Sequence, residues 1–187
     1  MLKISFSIIA AVVIIASSLI SFHAGVFDKI NFLEENRGPY TLVYKEYRGS
    51  YSTIGYRIND VLKLIKSDKN IKVNGGFALF YDNPHQSPAD SLRSICGIFT
   101  DSLVSVKTPL KIAEYKETYC IVGKFPLRSF FSYITGLYKF YPALEKYCKV
   151  KGIHLNSPVM ELIDTKNKTI LYVISTSNIA SFPEFGK

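Results

Sequence analysis

Cysteine is scarce and unpatterned in this chain: Cys96, Cys120 and Cys148 lie far apart, with no C-x-x-C pair among them. An odd, dispersed set of this kind reads as buried thiols in a reducing compartment rather than as a disulfide framework. Histidine is scarcer in useful places. His23 belongs to an apolar N-terminal run, and neither His85 nor His154 has a second histidine or a cysteine at ligand spacing, so no zinc site can be drawn and neither metal nor cofactor is expected. Asp82, His85 and Ser87 fall close together, but no serine stands in a G-x-S-x-G context, so a serine nucleophile with oxyanion donors is not indicated and no catalytic residue is assigned. Low-complexity tracts are absent and the charged fraction is ordinary, which argues against global disorder.

The net charge of +8 belongs to the chain beyond residue 37, because Lys3, Lys29 and Arg37 cancel Asp28, Glu34 and Glu35 before it. A basic domain suits an anionic membrane face or acidic partners. The lysines are scattered, as in Lys63, Lys66, Lys69 and Lys72 or Lys139, Lys146, Lys149 and Lys151, and they read as solvated helix faces. No stacking platform accompanies them, so nucleic-acid binding is not expected.

Charge is also missing from Ile4 to Phe22, "ISFSIIAAVVIIASSLISF". About 20 apolar residues in a helix span the hydrocarbon of a bilayer. The run exceeds the usual signal-peptide core, so residues 1–27 read as a single transmembrane anchor; the alternative is a signal peptide cleaved near Ala16-Ser17-Ser18. Residues 28–37, "DKINFLEENR", read as a polar neck, and 38–187 as one domain, since a chain of this length with 48% hydrophobic residues holds one sizeable core.

Within the domain one pattern occurs twice. "YTLVYKEYRG" (strand), "YSTIGYRINDVLKLIK" (helix), "GGFALFY" and "SLRSICGIF" (strands) are followed by "TYCIVGKF" (strand), "LRSFFSYITGLYKFYPALEKYCKV" (helix), "PVMELID" and "KTILYVIS" (strands), with "PLKIAEYKE" as an extra strand between the halves. Two strand-helix-strand-strand units cannot each bury a sheet face alone, so they are expected to share one antiparallel sheet with both helices packed on it and a groove between the halves. In the second helix Phe130, Ile134, Leu137, Tyr141, Leu144 and Cys148 form the expected core stripe, interrupted at Pro142, where a kink or restart is predicted.

This α+β duplication resembles the gyrase-inhibitor-like domain, which also serves as the effector-binding domain of bacterial multidrug regulators. "YDNPH" at 81–85, a second proline at 88, "PALEKY" at 142–147 and "PVMEL" at 158–162, in this order after an N-terminal anchor, resemble the testis-expressed endoplasmic-reticulum-phagy receptor family of animals. The sequence departs from that family in showing no long acidic tail after the domain. Phe182-Pro183-Glu184-Phe185 carries Phe where the family's modifier-binding motif has an aliphatic residue. The resemblance implies a single-pass, non-enzymatic adaptor or receptor of the endoplasmic reticulum membrane, its domain in the cytosol and its partners proteins. The alternative is a small-molecule-binding protein of the multidrug-regulator type.

Two sets of site residues follow. Asp82, Asn83 and His85 are expected to contact a protein partner, because ten polar residues with Pro84 and Pro88 make a longer and stiffer strand connection than a hairpin requires. Glu161 alternates with Met160 and Leu162 and points to the opposite face. The multidrug-regulator resemblance implies an acidic residue there that attracts cationic aromatic ligands, with Tyr44 and Tyr81 as candidate walls; the competing reading is an exposed glutamate on an open sheet face. Asn167-Lys168-Thr169 matches a glycosylation acceptor, which matters only for a secreted or lumenal domain.

Overall fold

The computed structural model describes residues 2–66, 71–84, 86–101, 104–154, 157–176 and 182–186. An N-terminal helix α1 (Leu2–Ala24) precedes strands β1 (Asn31–Arg37) and β2 (Tyr40–Arg48), helix α2 (Ile54–Ile65), and strands β3 (Gly75–Phe80), β4 (Arg93–Thr100), β5 (Lys111–Tyr115) and β6 (Thr118–Pro126). Helix α3 (Phe131–Lys151) and strands β7 (Val159–Asp164) and β8 (Thr169–Ser175) complete the order. The eight strands form one sheet, β1-β6-β8-β7-β3-β4-β2-β5, and every pairing is antiparallel. From the central β7–β3 pair outward, β3-β4-β2 and β7-β8-β6 mirror one another, so the repeat in the sequence is a pseudo-two-fold in the sheet.

The sheet cannot be flat. β1 and β2 stand six positions apart in the sheet, about 29 Å at the usual strand spacing, yet only Gly38 and Pro39 join them. Two linking residues reach about 11 Å. Lys116 and Glu117 likewise carry the chain from β5 at one edge to β6 near the other, and a Cβ on Gly38 would lie 3.1 Å from their backbone. The sheet therefore curls until its edges meet. Its inner face buries Leu42, Tyr44, Phe77, Met160, Leu162 and Val173 among others, although no helix among the described residues covers them.

Both helices of the repeat pack on the outer face. α2 turns Ile54, Ile58, Val61 and Ile65 inward at helical spacing. α3 differs from the expected stripe: its most buried positions are Ser132, Gly136 and Phe140, where the small residues let the helix approach the sheet, and a Cβ on Gly136 would fall 2.5 Å from the Tyr172 hydroxyl. Phe130 and Ile134 are exposed, Leu137, Tyr141, Leu144 and Cys148 half-buried. Pro142 does not break the helix, which runs on to Lys151.

The expected neck is also different. Residues 31–37 are an edge strand paired with β6 over its whole length. Phe32 reaches Phe140 and Tyr147 (ring centroids 6.2 and 4.7 Å apart), while Glu34 accepts a hydrogen bond from Tyr147 (2.7 Å) and pairs with Lys151 (3.4 Å). Alternate charged residues are what an outer strand carries, which is why its composition reads as a linker.

Candidate functional site

Strand β7 places Val159, Glu161 and Ile163 on the helix-bearing face of the sheet and Met160 and Leu162 on the inner one, as the alternation requires. Glu161 is only 3% exposed, and its cross-strand neighbours are Ala78 and Tyr172. Ala78 leaves room above the sheet beside the carboxyl. A cavity of about 240 Å³ opens there between α2 and α3, lined by Glu161 with Tyr51, Phe80, Phe130, Tyr133 and Leu137 among others. It is the groove between the two halves of the repeat.

No cation lies against Glu161 among the described residues, and burial alone pushes its carboxyl up to about 8. Ionising it at this buried position costs the solvation that water supplied, so the proton is retained at neutral pH. Nearby, the Tyr172 ring stacks on Phe140 (centroids 4.3 Å, interplanar 18°) and its hydroxyl is buried without a hydrogen-bond partner among the described residues. Glu161 adds to burial in raising the Tyr133 and Tyr172 hydroxyls. The surroundings offer aromatic faces and one latent negative charge, an arrangement that favours a cation or a neutral hydrogen-bond donor with apolar bulk.

The 81–92 connection between β3 and β4 contributes Pro84, Ala89 and Leu92 to the same cavity. Asp82 is not a free contact residue. Its carboxylate accepts from the Arg93 amide (2.7 Å) and pairs with the Arg93 guanidinium (Nη2–Oδ1 2.8 Å), which holds it below the usual carboxylate range. The Tyr51 hydroxyl lies 3.0 and 2.9 Å from the carbonyls of Asp82 and Arg93 and ties both ends of the connection to the start of α2. Asp82 thus closes the base of the loop through Arg93. Asn83 is half-buried and its carbonyl accepts from Gln86 (3.0 Å); His85 lies outside the described residues.

Tyr44 and Tyr81, expected beside Glu161, belong to the other face of the sheet. Tyr44 is two residues from Leu42 along β2 and shares its inward parity, so it packs with Leu42 and Phe77. Tyr81 follows the end of β3 and donates to the Pro183 carbonyl, with Phe185 against its ring (5.7 Å). Arg48 lies over Phe185 and Phe182 against Tyr115, so the C-terminal residues close the inner face. The aromatic walls around Glu161 come instead from Tyr51, Tyr133 and Phe130. A signal for them existed in α3, whose apolar residues occupy a wider arc than one core stripe needs. Asn167 sits in the exposed β7–β8 turn with its side chain donating to Asp164 (2.7 Å). Among the described residues, no cluster of histidine, cysteine or carboxylate side chains could hold a metal ion.

No family model and no curated protein sequence matches the chain. Solved structures do. The crystal structure of the EcmrR C-terminal domain superposes with a TM-score of 0.59 at 12% identity, covering 78% of this chain and 96% of that one. The EcmrR chain in the cryo-EM structure of its DNA complex gives 0.58 at 10% identity, covering 93% of this chain and 68% of that one. At such identities the likeness is one of fold: the chain has the α+β architecture of the EcmrR C-terminal domain, preceded by a helix long and apolar enough to cross a membrane.

Proposed function

We propose that the protein is a membrane-tethered ligand-binding module whose cavity takes a small aromatic or otherwise apolar cation, with Glu161 as its counter-ion. A carboxyl buried without a pairing cation among the described residues, at the wall of an aromatic-lined cavity between two helices, is the observation that carries this reading. Burying an unpaired carboxyl is costly, and such groups concentrate where a ligand completes them. The tether is α1, whose Phe6–Ala24 segment is uncharged and, apart from Ala24 at its end, not buried in the fold. Isothermal titration with benzyltrimethylammonium tests the cavity. Binding that Glu161→Gln weakens by about 1–2 kcal/mol, the size of a lost charge-assisted contact, is expected; equal affinity in both proteins would remove Glu161 from the site. In second place we propose an adaptor surface on the 82–91 connection, carried by exposed Gln86 and Asp90, since Asp82 is committed to Arg93.

A further inference from the structure

The last turn of α1 is not loosely attached to the domain. The His23 carbonyl accepts from the Ser129 and Ser132 hydroxyls (2.9 and 3.3 Å), and the Phe22 carbonyl from Arg128 (3.4 Å). Arg128 also pairs with Asp28, and the Lys139 ammonium donates to the carbonyls of Gly25 (3.3 Å), Val26 and Asp28 (2.6 Å). The His23 carbonyl belongs to the last turn of α1, where carbonyls lack intrahelical partners, while those of Phe22 and Gly25 also accept from the Gly25 and Asp28 amides (3.1 Å each). Gly25, at φ +77°, makes the turn, and a Cβ there would fall 2.7 Å from the Phe125 ring. α1 therefore leaves the domain in a fixed direction, against the first turn of α3.

That turn is also the rim of the cavity. Phe130 lines the cavity, and Phe130 and Phe131 stand between the serines that hold His23. Both rings are exposed (53% and 55%), as are Phe22 (53%) and Phe27 (73%) on the α1 side of the junction. Four exposed phenylalanine rings around the end of a membrane-length helix, next to Arg128 and Lys139, make an apolar patch flanked by cations, the combination that surfaces bury in the interfacial layer of a bilayer. Water-facing surfaces gather such apolar patches at a cost that an interface removes.

We propose that the domain is seated on the bilayer through this aromatic collar, with the mouth of the cavity turned into the interfacial layer, so that its ligands are amphiphiles residing in the membrane. The inference rests on α1 spanning the bilayer and, for the ligand, on the cavity reading above. The chain has no tryptophan, so a single introduced one is a clean reporter. The full chain, reconstituted in phosphatidylcholine vesicles with brominated acyl chains, is compared as F131W and as Y119W. Tyr119 is exposed and lies back along β6, about 23 Å from Pro126.

The expected result is strong quenching of F131W and little of Y119W. F27W reads the same seat from the α1 side should F131W fail to fold. Vesicle flotation separates the layers of the inference. A chain that does not float with the vesicles removes the tether and this seat with it; a floating chain with F131W unquenched, or with both reporters equally quenched, overturns the seat alone. For the ligand, vesicles doped with a lipid bearing a benzyldimethylammonium headgroup should abolish the isotherm of soluble benzyltrimethylammonium. An unchanged isotherm would mean that the mouth opens to water and would overturn the proposal. Absence of any cation binding would remove the cavity reading and the membrane-amphiphile ligand together, with the seat still decided by quenching.

Discussion

Replacing Glu161 by Gln should change how the stability of the domain depends on pH. In the unfolded chain the carboxyl titrates near its ordinary value of 4.5, and in the folded domain burial moves it to about 8. Below about pH 4.5 it is neutral in both states and its contribution to stability is fully present. Between about 4.5 and 8 only the unfolded chain ionises, and that stability is lost; above about 8 both forms are charged and the loss levels off. Linkage gives a loss of about 3 kcal/mol between the acid limit and pH 7, and about 5 kcal/mol by pH 9. Against a typical domain stability of 5–15 kcal/mol this is large. Between pH 5 and pH 8 it corresponds to about 10 °C in Tm for a chain of this size. The measurement is thermal unfolding of the detergent-solubilised chain at several pH values, read as the difference between wild type and E161Q. The variant should gain on the wild type as pH rises through this window. The same linkage makes the apparent affinity for a cation improve as pH rises from 6 to 7.5, because the ionised carboxylate binds a cation more tightly than the neutral carboxyl. A constant difference between the two proteins from pH 5 to 8 would refute the buried, unpaired state of this carboxyl.

Asp82→Asn removes the charge from a hydrogen-bonded pair with Arg93 that closes the β3–β4 connection, and should cost about 1–2 kcal/mol in urea unfolding. Since Arg93 holds the Asp82 carboxyl below its usual range, that contribution is present at neutral pH and is lost on acidification through the lowered folded-state value. Gly136→Ala sets a Cβ against the Tyr172 hydroxyl and should cost about 1–3 kcal/mol by overpacking, with α3 pushed off the sheet and weaker cation binding in the same titration. The full chain should resist alkaline carbonate extraction from membranes; a mature protein beginning near residue 19 would show instead that α1 is cleaved as a signal peptide.

Much of the architecture is legible from local pattern. Period-two alternation placed Glu161 opposite Met160 and Leu162, and the doubled strand-helix-strand-strand order predicted one antiparallel sheet with a groove at the centre. These depend on side-chain period and on the need to bury a sheet face, both written in short stretches of chain. The failures share a cause. "NFLEENR" looks like a linker because an edge strand is solvated on one side; its pairing with Thr118–Lys124 is a contact across some ninety residues. Tyr44 and Tyr81 have the residue type of a wall for Glu161, but parity along β2, and just past the end of β3, sends them to the inner face.

By itself, the sequence determined the apolar α1, the helices and strands of the doubled repeat with the extra strand between its halves, and the face that each β7 residue presents, because helical and strand periodicities are properties of consecutive residues. Only the tertiary structure decided that the two-residue links at 38–39 and 116–117 curl the sheet, that Asp82 turns inward to Arg93, and that Glu161 lies buried with no cation beside it among the described residues. It also decided that Ser129, Ser132 and Lys139 grip the end of α1 beside the cavity mouth. These are meetings of residues from 11 to more than a hundred positions apart, and whether a carboxylate meets a cation or aromatic walls is fixed by tertiary packing, which no local pattern encodes.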